Sequence, residues 1–341
     1  MDLADVTTLR VGGPARAVVE ATTEEQLVEA VRVADDAGTP VLLVAGGSNL
    51  LVGDDGFDGT VVLVRTRGQV VDADACSGAM VTVQAGESWD ALVATAVENG
   101  WVGLEALSGI PGSVGATPIQ NVGAYGQEVA QTISSVRVYD RTERRVRTIV
   151  AVDCGFAYRH SRFKAEPGRY VVLTVAFQLR LGDLSAPVAY AELARHLGVE
   201  VGDRAPLADV REAVLALRAS KGMVLDADDP DTWSAGSFFT NPLLDPEAAA
   251  ALPDTAPRFP QPDGTVKTSA AWLIQHAGFE RGHAAPGGRA SLSTKHTLAL
   301  TNRGDARSDD VLALAREVRD GVRDAFGITL VPEPVLVGCR L

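Results

Sequence analysis

Apolar positions at Val210, Val214 and Leu217 fall four and three apart, which predicts an amphipathic helix over Leu207 to Ser220. Strict alternation in Met80-Val-Thr-Val-Gln-Ala-Gly86 predicts a half-buried strand, and the unbroken apolar run Val41-Leu-Leu-Val44 a buried one. Helix signals flank these runs. Thr22-Thr-Glu-Glu25 supplies a cap and an acidic first turn for a helix from Thr23 to Ala37, with Gly38 as its stop, and Ser88 opens a helix that runs to Glu98. Further strands are expected at Ala15 to Ala21, Thr60 to Arg65, Ser134 to Tyr139, Tyr170 to Leu181 and Thr297 to Thr301. Helices are expected at Ser269 to His276 and Ser308 to Phe326, followed by a last strand at Ile328 to Val331. The order begins β-α-β, becomes strand-rich, and turns helical and polar after Leu181, where a separate domain is expected to begin.

Glycine interrupts this pattern in two places. The run from Val41 enters Gly46-Gly47-Ser48-Asn49, and the long segment Glu105 to Gln127 carries Gly109, Gly112, Gly115, Gly123 and Gly126. Glycine permits positive φ and leaves no Cβ, so backbone N–H groups can approach the oxygens of a phosphate. The spacing GxGxxG between a strand and a helix is absent, and no lysine follows a GxxxxG, so neither a Rossmann fingerprint nor a P-loop is present. Two separate cradles without either fingerprint point to a large cofactor whose pyrophosphate is held by several loops.

At 341 residues the chain exceeds one domain of about 150 residues and is expected to hold two or three. Its 44 acidic and 31 basic residues leave a net charge of −13, which argues against a nucleic-acid or anionic-membrane partner. A small-molecule substrate is the expected partner, with its anionic groups held by a local cluster, and the chain is expected to be a monomer. Cys76, Cys154 and Cys339 lie far apart and are expected to be buried, with no disulfide framework and no zinc site. No metal is expected, since no histidine shows ligand spacing. No apolar run reaches the roughly 18 residues of a membrane span, and the N-terminus lacks a signal-peptide pattern, so a cytoplasmic protein is expected.

The motifs Arg10-Val-Gly-Gly-Pro-Ala15, Gly46-Gly-Ser-Asn-Leu-Leu51, Gly109-Ile-Pro-Gly-Ser-Val-Gly115, Gln120-Asn-Val-Gly-Ala-Tyr-Gly126, Tyr158-Arg-His-Ser-Arg-Phe163, Gly236-Ser-Phe-Phe-Thr-Asn-Pro242 and Glu333-Pro334 stand in a telling order. From about residue 7 to the C-terminus the chain resembles the UDP-N-acetylenolpyruvoylglucosamine reductase family, in the longer of its two types. The resemblance implies an α+β protein: a vanillyl-alcohol-oxidase-type FAD-binding fold of two subdomains, plus a C-terminal α+β substrate domain. The expected boundaries are 1–66 with 328–341, then 67–200, then 201–327. It also implies FAD and NADPH as cofactors, and reduction of the enolpyruvyl ether of UDP-N-acetylglucosamine to the lactyl ether of UDP-N-acetylmuramate for peptidoglycan synthesis. The preference for NADPH comes from the resemblance alone, as no motif for a 2′-phosphate is present.

Residue roles follow from the same resemblance. Ser237 matches the proton donor, Arg159 the arginine that steadies the enolate-like intermediate, and Glu333 the active-site glutamate. Tyr190 matches the tyrosine of the loop that covers the nucleotide diphosphate. Lys221 and Asn241 are candidates for phosphate and substrate contacts, with Arg218, Gln275 and His276 as weaker ones. Lys221-Gly-Met-Val-Leu-Asp226 departs from the Lys-Leu-Pro-Asp form of many members but keeps the lysine. FAD contacts are expected from Gly46, Gly47, Ser48 and Asn49 at the pyrophosphate, from Ile110, Gly112, Ser113, Gly115 and Ala116, and from Gln120, Asn121 and Gly123. Tyr125 is open between a flavin contact, a substrate contact and the core. The competing readings are a flavin oxidase of the same fold, which would not require Ser237, Arg159 and Glu333 together, and a flavin- or nucleotide-binding regulator without catalysis.

Overall fold

The computed structural model describes every residue except Pro286, and the chain folds as two compact units. One comprises 16–46 and 58–220, the other 1–15, 47–57 and 221–341.

In the unit of 16–46 and 58–220, strand Val41–Val44 pairs in parallel with strand Phe57–Val64, whose other side takes strand Ala15–Ala21. Helix Glu24–Asp36 connects them. Its start is the expected one: the Thr23 hydroxyl accepts the Gln26 N–H while the Gln26 side chain returns to the Thr23 N–H, a reciprocal capping box. An antiparallel sheet follows, in the order Arg145–Val150, Ile133–Asp140, Tyr170–Leu181, Gly78–Gln84, Gln69–Asp74. Val136, Val138, Leu173, Val175, Val81 and Val83 line its core side with Trp89 from helix Trp89–Glu98. Helices Ala191–Leu197 and Leu207–Ser220 share a smaller core through Leu193, Val210 and Val214, the last two being the periodic positions of the sequence.

In the unit of 1–15, 47–57 and 221–341, strands Ser234–Ser237, Ala299–Asn302 and Ala290–Leu292 form an antiparallel sheet. Helix Ser308–Phe326 buries Val311, Leu314, Val318 and Val322 in a core shared with Leu273 and Ile274 of helix Ala270–His276. The expected final strand at Ile328 to Val331 is not formed. Pro332 and Pro334 remove two N–H donors, so this stretch holds only an isolated bridge between Phe239 and Pro332. The last strand is Val335–Val337, parallel to Leu50–Val52.

The cysteine expectation holds for Cys154, which is buried, while Cys339 is half-buried and Cys76 is exposed. Cys76 sits in the turn joining Gln69–Asp74 to Gly78–Gln84, where the Asp74 carboxylate accepts its N–H at 2.7 Å. None of the described helices is long and apolar enough to cross a membrane.

Candidate functional site

The glycine-rich segment owes its shape to close backbone contact. A Cβ at Gly46 would lie 2.5 Å from the Gly112 Cα, and one at Gly115 2.5 Å from the Ala85 Cβ, so these glycines let two loops touch. Several N–H groups of this segment are bonded within the protein. The N–H groups of Val114 and Gly115 donate to the carbonyls of Glu87 and Ala85, and that of Ala116 to Ser113, so the N–H groups of Gly115 and Ala116 have internal partners, and Gly115 contributes close approach. Asp90, in the first turn of helix Trp89–Glu98, accepts the Gly109 N–H at 2.6 Å and is gripped by both Arg211 guanidinium nitrogens at 2.7 and 2.9 Å. Burial pushes its carboxyl up, but the Arg211 and Gly109 hydrogen bonds outweigh it and leave the group below the ordinary range.

Within this wall Ser113 is 4% exposed, and its Oγ has no hydrogen-bond partner among the described residues. It stands before the short helical turn Val114–Ala116 without capping it. A buried hydroxyl left unmatched costs about 1–3 kcal/mol, so an oxygen-rich group seated here would satisfy it. The wall fits a dinucleotide cofactor on that ground.

Further along, Asn121 and Arg159 are brought together. Both hold positive φ, +48° and +51°, in a region that side chains seldom adopt. The Asn121 side chain is spent inside the protein: its amide donates to Glu128 at 2.8 Å and to the Ala157 carbonyl at 3.1 Å, and its oxygen accepts the Ala130 N–H. Ala157 and His160 close a tight turn by mutual backbone bonds, with Tyr158 and Arg159 at its tip. Arg159 donates to the Gly123 carbonyl at 2.9 Å, and its own carbonyl accepts from Lys164. The strained backbone and these bonds fix where the guanidinium fork points. Gln120 lies half-buried beside them, and Ile110 packs against the main core.

Tyr125 also has positive φ, +48°, and meets Tyr190 edge to face at 5.6 Å between ring centroids. Burial, with smaller contributions from Glu192 and Tyr190, pushes the Tyr125 phenol up to about 12, so it stays a neutral donor at working pH. Burial lowers the Arg218 guanidinium to about 10, against the pull of Tyr125 and Asp90, and leaves it cationic. Two phenols and a shielded cation make a setting suited to an anion. Tyr190 itself is 47% exposed, and the chain leading to it is pinned by Glu105, which is 1% exposed. That carboxylate accepts from Gly103, Gln127 and the Ala186 N–H at 2.7, 2.9 and 2.7 Å.

In the other unit, Ser237 ends strand Ser234–Ser237. Ser234 pairs with Thr301 and Ser237 with Ala299, so a bulge of one extra residue separates them, with Gly236 at φ +76°. Bulges of this kind re-aim a side chain, here that of the serine. Phe238 and Phe239 anchor the next residues in the core. The Glu333 N–H donates to the Phe238 carbonyl at 2.8 Å, so Ser237 and Glu333 lie on neighbouring backbone. Asn49 joins this group: its amide contacts the Glu333 carbonyl at 3.4 Å and its carbonyl accepts the Val335 N–H. Gly47, at φ +59°, has room for no side chain, since a Cβ would lie 1.9 Å from the Val6 carbonyl oxygen; Ser48 beside it is half-buried.

The remaining candidates spread out. Lys221 is half-buried, and Gly222 after it lies against the Asp231 backbone. The Asn241 oxygen accepts the Ala270 N–H at 2.9 Å at the start of helix Ala270–His276. Gln275 is exposed at the far end, and His276 stacks on Trp272 at 3.8 Å while bonded to the Trp272 carbonyl. Sequence reading passed over Asp90, Glu105 and the tie made by Thr8, described below. Asp90 reads as an ordinary acidic first-turn residue, and nothing local marks the others.

Comparison with known proteins places these features in a family. Residues 15–148 match a family model described as an FAD binding domain, and residues 228–337 one described as the UDP-N-acetylenolpyruvoylglucosamine reductase C-terminal domain. The chain is 60% identical over 340 residues to UDP-N-acetylenolpyruvoylglucosamine reductase of Cutibacterium acnes, covering 99% of this chain and 90% of that one. It is 58% identical to the Streptomyces coelicolor protein of the same name, again over 99% of this chain and 90% of the relative. Among solved structures, that of UDP-N-acetylenolpyruvylglucosamine reductase from Thermus caldophilus superposes with a TM-score of 0.66 at 27% identity, covering 99% and 97% of the two chains. The expected fold class, an α+β protein with an FAD-binding part and a distinct C-terminal reductase domain, is borne out. The chain belongs to the UDP-N-acetylenolpyruvoylglucosamine reductase family.

Proposed function

We propose that this chain reduces UDP-N-acetylglucosamine enolpyruvate to UDP-N-acetylmuramate, with NADPH as reductant, and that Ser237, Arg159 and Glu333 carry the work of the protein. The supporting observation is the pairing of Glu333 with the residue after a bulged Ser237, N–H to Phe238 carbonyl at 2.8 Å. The chain is an FAD-dependent oxidoreductase of peptidoglycan precursor synthesis, and the oxidase reading is not favoured. When bound, FAD would supply the hydride-transfer chemistry that links NADPH to the methylene carbon of the enolpyruvyl ether.

The wall of Gly46, Gly112, Ser113 and Gly115 would hold the cofactor, Ser113 by its unmatched hydroxyl and the glycines by letting backbone close in. Gly47, Ser48, Asn49, Ile110, Ala116, Gln120, Asn121 and Gly123 complete the proposed contacts, Asn121 through its backbone. Hydride arrival leaves negative charge on the substrate carboxylate. Arg159, rigidly presented, pairs with that charge, and Glu333 either hydrogen-bonds the same group in its carboxylic-acid form or helps deliver the proton. Ser237 gives its hydroxyl proton to the carbon beside the methylene and regains one from solvent. Tyr190, Tyr125 and Arg218 face the diphosphate, with Lys221 and Asn241, while Gln275 and His276 hold outer positions. The division into 1–66 with 328–341, 67–200 and 201–327 is proposed on functional grounds. The enzyme is proposed to act in the cytoplasm as a monomer.

Ser237→Ala tests the reading. Flavin reduction by NADPH should be unchanged, while reoxidation by the enolpyruvyl substrate should slow by about 10²–10⁴-fold, the usual worth of a positioned proton donor. Equal reoxidation rates would remove Ser237 from its role.

A further inference from the structure

Thr8 bonds in two directions. Its N–H donates to the Gly47 carbonyl at 3.2 Å, in the first glycine cradle, and its hydroxyl donates to the Ser234 carbonyl at 2.7 Å, at the start of the strand that ends in Ser237. Thr8 is 9% exposed, so neither bond is diluted by solvent. The bulge between Ser234 and Ser237 interrupts the ladder, and an external donor at Ser234 restores a fixed point just before the irregularity.

The surrounding chain holds Thr8 firmly. Asn302, 2% exposed, donates through its side-chain amide to the carbonyls of Leu9 and Arg10 at 3.2 and 3.1 Å, while its own N–H donates to the Trp233 carbonyl at 3.0 Å. Arg10, at φ +55°, lays its guanidinium 3.9 Å from the Trp233 ring centroid. The residue before the bulged strand is thereby clamped from both sides.

We propose that Thr8 is a positioning residue for Ser237, setting the proton donor's strand against the cofactor's glycine cradle. This rests on the proposed role of Ser237. Protonation needs the hydroxyl within hydrogen-bond reach of one carbon, and a small drift of the bulged strand would lengthen that approach. The Thr8 hydroxyl touches neither substrate nor cofactor in this account; it acts through Ser234.

The test uses the full chain reconstituted with FAD, comparing Thr8→Val, Thr8→Ser and Ser237→Ala. Four quantities are read: FAD affinity by flavin fluorescence, flavin reduction by NADPH, anaerobic reoxidation by the enolpyruvyl substrate in H2O and D2O, and Tm. Thr8→Val keeps the N–H bond to Gly47, so FAD affinity and flavin reduction should match the parent. Reoxidation should slow by about 10–100-fold, the scale of a small misplacement, with an enlarged solvent isotope effect. Thr8→Ser should restore both. Parent-like reoxidation in Thr8→Val, with Ser237→Ala slow, would overturn the proposal alone. Equal slowing in Thr8→Val and Thr8→Ser, with a lowered Tm and no change in isotope effect, would also overturn it, reducing Thr8 to packing. Parent-like rates in Ser237→Ala would sink the role of Ser237 itself, and the proposal with it.

Discussion

At the residue scale, the chemistry depends on positions where the backbone leaves no freedom. Gly46 bears most directly on the cofactor wall, because a Cβ there meets the Gly112 backbone at 2.5 Å and neither loop can yield without opening the wall. We predict that Gly46→Ala weakens FAD binding at least tenfold, measured by flavin fluorescence titration, and lowers Tm; unchanged affinity would show that the two loops do not form one wall. Arg159→Lys should leave NADPH-dependent flavin reduction intact and slow reoxidation by the substrate, because an ammonium cannot reproduce a fixed two-nitrogen fork. Equal rates for the two proteins would place Arg159 outside the reacting carboxylate's surroundings.

At the element scale, capping and pairing decide which segments hold. Thr23→Ala removes the hydroxyl that accepts the Gln26 N–H, leaving only the backbone half of the box at helix Glu24–Asp36, and should cost about 1 kcal/mol of stability, read by urea unfolding, with flavin chemistry untouched. The elements that sequence located well, such as Leu207–Ser220 and Ser308–Phe326, combine a periodic apolar face with a recognisable end. Strand Gln69–Asp74 is not legible in the sequence because every one of its residues is exposed, so no alternation marks it. The sequence points to Ile328 to Val331 as the last strand because that apolar run is the longer one, whereas the parallel partner of Val335–Val337, Leu50–Val52, lies far away in sequence. For the proposed site, motifs shared with the family carry the glycines, Ser237, Arg159 and Glu333. Asp90, Glu105 and Thr8 act through partners 19, 81 and 226 residues distant, which no local pattern encodes.

At the scale of the whole molecule, a surplus of acid is held in place by specific pairing. Asp231 is 5% exposed; burial pushes its carboxyl up, but the Thr294 hydroxyl and N–H, with Arg303 nearby, outweigh it and leave it lowered. Asp140 is fully buried and likewise lowered, burial being outweighed by Arg169 and by the N–H groups of Glu143 and Thr142. A carboxyl depressed in the folded state adds stability above its unfolded value, about 3.9, and that stability is lost as pH falls through the folded value. Stability from these groups should therefore be constant above about pH 5 and decline below about pH 4, measured by urea midpoints across pH. Asp231→Asn should flatten that decline, and an unchanged profile would show that Asp231 gains nothing on folding.

The central claim, that this chain passes reducing equivalents through FAD to an enolpyruvyl ether, is tested most directly by an anaerobic visible spectrum of the FAD-loaded protein. NADPH should bleach the flavin band, and UDP-N-acetylglucosamine enolpyruvate should restore it without oxygen. A band that bleaches, ignores that substrate and returns only on admitting oxygen would contradict the account and favour an oxidase.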